Sequence, residues 1–325
     1  MTQVVNGYLA WPFQHFTLGV IVSRGASSGW GAVKLFTSAL WQVLRLKDRR
    51  REVVVVHLSQ GGSFVREGVL LAMARWRGFG VVAHMHGSRF VAFAERWPRL
   101  VGSVLRRAHR VIVLSDATAA AVRRHVEAHR VVLVPNAVPE GVSAPKERLL
   151  VFGGSVSVRK GVDVLLGAWQ QVLPEGWRLV IAGPFADIQP PNPPVPQVEF
   201  LGAVPHQALM GWLDRSAVAV LPSRDEAMPM FILEALARRN CVVSTRVGGI
   251  PGVLSGGRGE LIEPGNVQAL AGAIRRITSD DSQRQAMADA GHQSFKAEFS
   301  AEAVYPRIAL VWQQAMDESD GGTPR

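Results

Sequence analysis

The sequence predicts an α/β protein built from two parallel-sheet domains, each with helices on the faces of its sheet. Strand-length runs of Val, Ile and Leu alternate with helical patterns along the chain, and such continuous apolar strands belong to parallel sheets buried on both faces. The alternation pauses at Pro135-Asn-Ala-Val-Pro-Glu-Gly-Val-Ser-Ala-Pro145 and restarts near residue 149, as it would at a domain boundary. The chain has 325 residues, 48% of them hydrophobic, with a mean hydropathy of +0.13, which is enough for two buried cores.

The expected strands, in order, are Leu18–Val22, Val53–Leu58, Val81–His86, Val111–Leu114, Val131–Val134, Leu149–Phe152, Leu179–Ala182, Val198–Leu201, Ala217–Leu221 and Cys241–Ser244. Between them, apolar residues at helical spacing predict helices over Leu35–Leu46, Val65–Arg75, Ala117–Glu127, Val162–Val172, His206–Asp214, Met230–Ala237 and Val267–Ile277. The first residues, Met1 to Tyr8, read as the end of a helix. A doubly wound domain normally begins with its central strand, so the first domain is expected to lack its first strand and the turn after it. Asp187–Gln197, with five prolines, reads as a surface loop.

The formal charge of +10 is unevenly placed. Residues 1–145 carry 19 Lys and Arg against 7 Asp and Glu, while the remainder carries 17 against 19. The basic half points to an anionic partner, such as an anionic membrane surface or a phosphorylated acceptor; solubility alone is the plainer explanation. No basic motif interleaved with aromatics supports nucleic acid as that partner. No stretch approaches the roughly 18 apolar residues of a membrane span, and the first thirty residues lack the order of a signal peptide, so a cytoplasmic protein is expected. The single cysteine, Cys241, excludes an intrachain disulfide and is expected in a strand core.

The most informative stretch is Leu221-Pro-Ser-Arg-Asp-Glu-Ala-Met-Pro-Met-Phe-Ile-Leu-Glu-Ala-Leu-Ala237. A strand ends in an acidic turn, and a helix opens with Pro229 at its first position, where a missing N–H costs nothing. Glu226 stands ahead of this helix and Glu234 more than a turn inside it. Two carboxylates so placed can accept hydrogen bonds from separate sugar and ribose hydroxyls, beside a helix N-terminus that favours anions. Taken alone, two solvent-facing helix acids are the slightly better explanation. Gly153-Gly-Ser-Val-Ser-Val-Arg-Lys-Gly161 joins a strand to a helix and is either an ordinary turn or a phosphate loop in which Arg159 and Lys160 meet the charge. His84 and His86 sit at the end of an expected strand, near a ligand or simply in the core. At i, i+2 they should point to opposite faces, which argues against a shared metal. No D-x-D or H-E-x-x-H occurs, which removes sequence support for metal-dependent single-domain nucleotide-sugar enzymes and zinc hydrolases.

Together these stretches resemble the retaining glycosyltransferases of family 4, which have the two-domain GT-B architecture, over essentially the whole chain. The resemblance is most specific at Glu226-x7-Glu234, followed by Val247-Gly-Gly-Ile-Pro251 and Gly259-Glu-Leu-Ile-Glu-Pro-Gly265. Arg159-Lys160-Gly161-Val162-Asp163 is similar to the family's phosphate-contacting turn. His57-Leu-Ser59, Gly62-Ser-Phe64, His84-Met-His-Gly-Ser-Arg-Phe90 and Val134-Pro-Asn136 look like its exopolysaccharide and capsule branch. Phe299-Ser300 and the helix after it resemble the segment that crosses back to the first domain.

The resemblance implies two Rossmann-like domains facing each other across a cleft: an acceptor-side domain over 1–145 and a donor domain over 146–300. A returning helix would occupy 301–316, with a flexible tail at 317–325. Glu234 would bind the donor ribose, and Glu226 with Ala227, Met228, Pro229 and Met230 would hold the transferred sugar. Gly153, Gly154, Ser155, Gly248 and Gly249 would line the donor site. Lys160, helped by Arg159, would neutralise the leaving diphosphate, and His86 would stand beside the anomeric carbon and the acceptor. No cofactor or metal is expected. The implied partners are a nucleotide-sugar donor and a lipid-linked or saccharide acceptor.

Three departures stand out. Ser155 occupies a position where the family often has arginine, and Gly252 one where it has glutamate. The family's opening strand and Gly-Gly turn are not found ahead of Met1-Thr-Gln-Val-Val5, which leaves open a late start or a truncated enzyme with impaired catalysis. A non-catalytic glycosyltransferase-like subunit and a GT-B epimerase or phosphorylase are the alternative functions.

Overall fold

The computed structural model describes residues 2–25, 29–142 and 144–321. The chain divides into two units, Met1–Pro135 with Val304–Arg325, and Asn136–Ala303.

The first unit begins with helices α1 (Thr2–Ala10) and α2 (Trp30–Arg45) and continues β1 (Val53–Leu58), α3 (Gly62–Trp76), β2 (Gly80–Met85), α4 (Phe90–Arg96), α5 (Pro98–Leu105), β3 (Arg110–Val113), α6 (Asp116–Arg123) and β4 (Val131–Leu133). The four strands are parallel and lie in the order β1-β2-β3-β4. Right-handed crossovers in a sheet that never reverses its order put the connecting helices on one face. On that side Val56, Leu58, Val81, Ala83, Met85, Val111 and Val113 share a core with residues of α3, α5 and α6. Aromatic residues of α1 and the last helix lie by the alternate strand positions. There Tyr8 packs on His57, His84, Tyr305 and Trp312, with ring centroids 5.4–6.3 Å apart.

The second unit runs β5 (Glu147–Gly153), α7 (Val162–Val172), β6 (Arg178–Ala182), β7 (Val198–Gly202), α8 (His206–Arg215), β8 (Ser216–Leu221), α9 (Met230–Ala237), β9 (Cys241–Thr245), α10 (Ile250–Leu254), β10 (Glu260–Ile262), α11 (Val267–Ser279) and α12 (Asp281–Ser294). Its six parallel strands lie in the order β10-β9-β8-β5-β6-β7, the doubly wound arrangement that reverses direction between β5 and β8. Ligands of such sheets bind beyond the carboxyl ends of the strands at that reversal. The helices start where their sequences allow. Asn266 caps α11 through Ala269 N–H at 2.9 Å, and Asp280 caps α12 through Gln283 N–H at 2.8 Å. A π-helical turn, Phe295–Phe299, leads into α13 (Ala301–Ser319). Most of α13 belongs to the first unit, where Arg110 pairs with Glu318 and hydrogen-bonds Gln314 at 3.2 Å.

Several expectations need correction. Leu18–Val22 is not a strand; Val20 and Val22 are 48% and 52% exposed, so the run lacks the burial that a parallel strand needs. The units divide after Pro135 rather than after residue 145, because Val138 bridges to Ser300 and Asn136 bonds to Met228, both in the second unit. The expected tail from 317 is helical through Ser319, and residues 322–325 lie outside the described residues. The predicted helix to Glu127 ends at Arg123. Pro229 is the cap of α9, with extended backbone, not its first helical residue. Cys241 is buried in β9 as expected, and burial pushes its thiol up to about 12.

Candidate donor site

At the carboxyl edge of the second sheet three loops meet, following β5, β8 and β9. The loop after β8 is held from both sides. Thr245 Oγ donates to Ser223 O at 2.6 Å, and Ser244 Oγ to Leu221 O at 2.6 Å, so β9 fixes where β8 ends. Gly248 has φ +54°, and a Cβ there would stand 1.8 Å from Glu226 O, so only glycine lets this turn back onto the Glu226 backbone. Gly249 N–H then donates to Ala227 O at 2.6 Å. From the start of the unit, Asn136 donates through Nδ2 to Met228 O at 3.1 Å.

The loop after β5 closes on the same stretch. Gly161 has φ +75°, and a Cβ on it would reach Pro222 O at 1.9 Å; the turn therefore packs directly on the end of β8. Arg224 N–H donates to Arg159 O at 2.8 Å, and Arg224 forms a two-pronged pair with Asp163 at 2.7 and 2.8 Å. Lys160 pairs with Glu226, which also accepts from Ser223 Oγ at 2.8 Å. Arg159 is exposed and donates to Asp225 O at 3.1 Å. Gly153 lies against the Phe231 ring, and the Lys160 stem runs 3.6 Å from where a Gly154 side chain would begin. Ser155 Oγ is 3.3 Å from Ser157 Oγ.

Both carboxylates are buried, Glu226 at 8% exposure and Glu234 at 5%, which rules out two solvent-facing acids. Glu234 sits on α9, whose residues Phe231–Ala237 are all buried, and its Oε1 lies 2.8 Å from His206 Nε2 on α8. That hydrogen bond raises the pKa of His206. A buried acid meeting a cation, at the reversal point of a doubly wound sheet, can bind hydroxyl groups and neutralise a diphosphate.

The chain matches two family descriptions in sequence. Residues 9–137 match a glycosyl transferase 4-like domain and residues 147–280 match glycosyl transferases group 1. This chain belongs to the group 1 glycosyltransferases. Its fold is GT-B, two parallel-sheet α/β domains. The alpha-D-kanosaminyltransferase of Streptomyces kanamyceticus is 23% identical over 322 residues, covering 85% of this chain and 82% of that protein. An exopolysaccharide phosphotransferase of Streptomyces coelicolor is 29% identical over 205 residues, covering 59% of this chain but only 21% of that protein. Among solved structures, the sucrose-phosphate synthase of Thermosynechococcus elongatus superposes with a TM-score of 0.74 at 19% identity, over 91% of this chain and 83% of that one. The Anabaena HepE protein in complex with UDP gives 0.70 at 18%, over 86% and 82%.

In this glycosyltransferase the structure brings Glu226, Lys160, Arg159, Gly248 and Gly249 into one bonded assembly, with Met228 held by Asn136. Pro229 and Met230 form the start of α9 beside them. His86 belongs to the first unit and lies with other histidines. The expectation that His84 and His86 point apart fails: their ring centroids are 4.2 Å apart. The strand ends at Met85, so strict alternation no longer holds at His86. Sequence reasoning missed Ser223, Asn136, His206 and the Asp163–Arg224 brace. Asn136 and Asp163 lie in quoted motifs, Val134-Pro-Asn136 and Arg159-Lys160-Gly161-Val162-Asp163, and Ser223 and Arg224 in the stretch from Leu221, but none was given these roles, and Asn136 belongs to the second unit, not the first.

Proposed function

We propose that this glycosyltransferase moves a sugar from a nucleotide-sugar donor to a lipid-linked or saccharide acceptor, with retention of anomeric configuration. The observation that carries the reading is the Lys160–Glu226 pair at the carboxyl edge of the second sheet. UDP bound to the similarly folded HepE supports a nucleotide donor. The developing negative charge is on the departing diphosphate, where fixed cations and amides lower the barrier most. Lys160 and Arg159 meet that charge in place of a divalent metal. Glu234 accepts the ribose hydroxyls, displacing His206, while Glu226 and the backbone of Ala227–Met230 hold the transferred sugar beside Gly153, Gly154 and Ser155. Glu226 is already committed to Ser223 and Lys160, so it serves as a holder and not as a covalent nucleophile. His86 is assigned to the acceptor side.

The first unit supplies a means of reaching a lipid-linked acceptor. On α2, Trp30, Val33, Trp41 and Leu44 are 89%, 52%, 50% and 40% exposed, at spacings that place them along one side of the helix. Val65, Val69 and Trp76 are likewise exposed on α3, which packs against α2. Arg45, Lys47, Arg49, Arg50 and Arg51 follow directly, so an apolar face adjoins a basic run, the pattern of a helix lying in an anionic membrane interface. Among the described residues no helix is long and apolar enough to cross a membrane.

The test is incubation with a panel of nucleotide sugars, with and without lipid and saccharide acceptors, following nucleoside diphosphate release and product configuration by NMR. The reading expects acceptor-dependent release and a retained anomeric centre. Inversion at that centre, or turnover that never consumes an acceptor, contradicts it.

A further inference from the structure

Parallel pairing of β1 with β2 sets His57 directly beside His84. One residue past β2, His86 N–H donates to Leu58 O at 2.7 Å, which returns its ring to the same place. His57 Nδ1 lies 2.8 Å from His86 Nε2, and one nitrogen from each of the three rings falls within 4.8 Å of the others. His84 is only 1% exposed. Its Nδ1 is 3.3 Å from the Tyr8 hydroxyl, and its Nε2 is buried with no hydrogen-bond partner among the described residues.

A buried, unpartnered imidazole nitrogen in a native core requires an explanation. A proton does not provide it, because burial holds all three histidines neutral: His57 is lowered to about 4, and His84 and His86 well below the ordinary value. Burial also raises the Tyr8 hydroxyl, so it stays protonated. In the tautomer in which His84 Nδ1–H donates to the Tyr8 oxygen, the Nε2 lone pair is free to ligate. A hydrogen bond to the far ring nitrogen is the usual partner of a metal-ligating histidine. Three neutral imidazoles with no carboxylate or thiolate suit zinc and its d-block neighbours. Little motion is needed, since the nearest pair would open to about 3.3 Å, a tetrahedral edge at the ordinary zinc–nitrogen distance.

We propose that His57, His84 and His86 bind one divalent d-block cation, zinc or an ion of like chemistry, through one ring nitrogen each, with a fourth position open. Each ring keeps one N–H, so binding needs a change of tautomer and no loss of protons from the rings. The site lies wholly in the first unit, whereas the donor residues lie in the second, and it shares only His86 with the proposed transfer reaction, where that residue is assigned to the acceptor side.

Chelator-stripped full-length protein is titrated with Zn²⁺ by calorimetry and with Co²⁺ by visible absorption. The expected result is one equivalent per chain with four-coordinate cobalt bands, lost in His84→Ala. Tyr8→Phe, which removes only the outer partner, should weaken binding about tenfold or more; it carries the test if His84→Ala fails to fold. His129→Ala, at an exposed histidine, should change nothing. Absence of stoichiometric binding by the parent, or undiminished binding in both His84→Ala and Tyr8→Phe, overturns the proposal. Nucleoside diphosphate binding by stripped protein reads the donor site separately, so failure of one inference is distinguishable from failure of the other.

Discussion

Lys160 and Glu226, 66 residues apart in sequence, form a largely buried ion pair that joins the loop after β5 to the loop after β8. Removing Lys160 leaves a buried carboxylate with Ser223 as its remaining partner. Lys160→Met should therefore cost about 1–3 kcal/mol of stability and lower kcat by about 10²–10³ if the lysine also meets the leaving diphosphate. Adding Glu226→Gln should recover much of the stability and none of the activity. Thermal melts and initial rates on the two variants check this; joint recovery would make the pair purely structural.

His206 and Glu234 give a pH dependence whose sign is fixed. Pairing raises the folded pKa of His206 above 6.5. Its contribution to stability is therefore fully present below 6.5 and is lost as pH rises through the raised folded value. Ribose hydroxyls must displace the imidazolium, so nucleoside diphosphate affinity should rise several-fold across the same window. His206→Ala should abolish that pH dependence; an identical profile in the variant would contradict it.

Gly248 can be tested without touching a charge. Its φ of +54° and a Cβ position 1.8 Å from Glu226 O mean that Gly248→Ala must displace the Glu226 loop. We expect a loss of about 1–3 kcal/mol in stability and a raised KM for the donor. Gly252→Ala is a matched control, since nothing lies within 4 Å of a Cβ there. Equal effects of the two changes on KM would be the contrary outcome.

The membrane face separates into two contributions. Neutralising Arg45, Lys47, Arg49, Arg50 and Arg51 should weaken binding to anionic vesicles at low salt by about 100-fold or more, at roughly 1 kcal/mol per charge. Replacing Trp30 and Trp41 with serine should weaken binding in a manner independent of salt. Vesicle sedimentation that finds the charge variant unaffected at low salt would remove the electrostatic half of this account.

Much of the fold was legible because buried parallel strands are written as runs of Val, Ile and Leu. β10 was not, being three residues of Glu-Leu-Ile, and α12 was not, because its buried seam is narrow: Ala288, Gly291, His292 and Ser294 within an otherwise polar helix. Trp97-Pro98 divides α4 from α5 with no loop between them, leaving two segments too short for periodicity. The Glu226 loop was legible from its residues, but its supports were not. Ser223 and Asn136 act through hydrogen bonds whose partners depend on how strands and loops return. The histidine cluster had a usable signal in the equal offset of His57 from Val53 and of His84 from Gly80, the two ends of one paired register. Strand alternation, extended one residue past its limit, concealed it.

In the proposed function the second unit binds the nucleotide-sugar donor through Glu234 beside the Glu226–Lys160 pair. Calorimetric titration of nucleoside diphosphates into parent protein and Glu234→Ala tests it most directly. One bound equivalent of at least one nucleoside diphosphate is expected, weakened about 10- to 100-fold in the variant through loss of hydrogen bonds to a charged acceptor. No binding by the parent, or full affinity in Glu234→Ala, would contradict it.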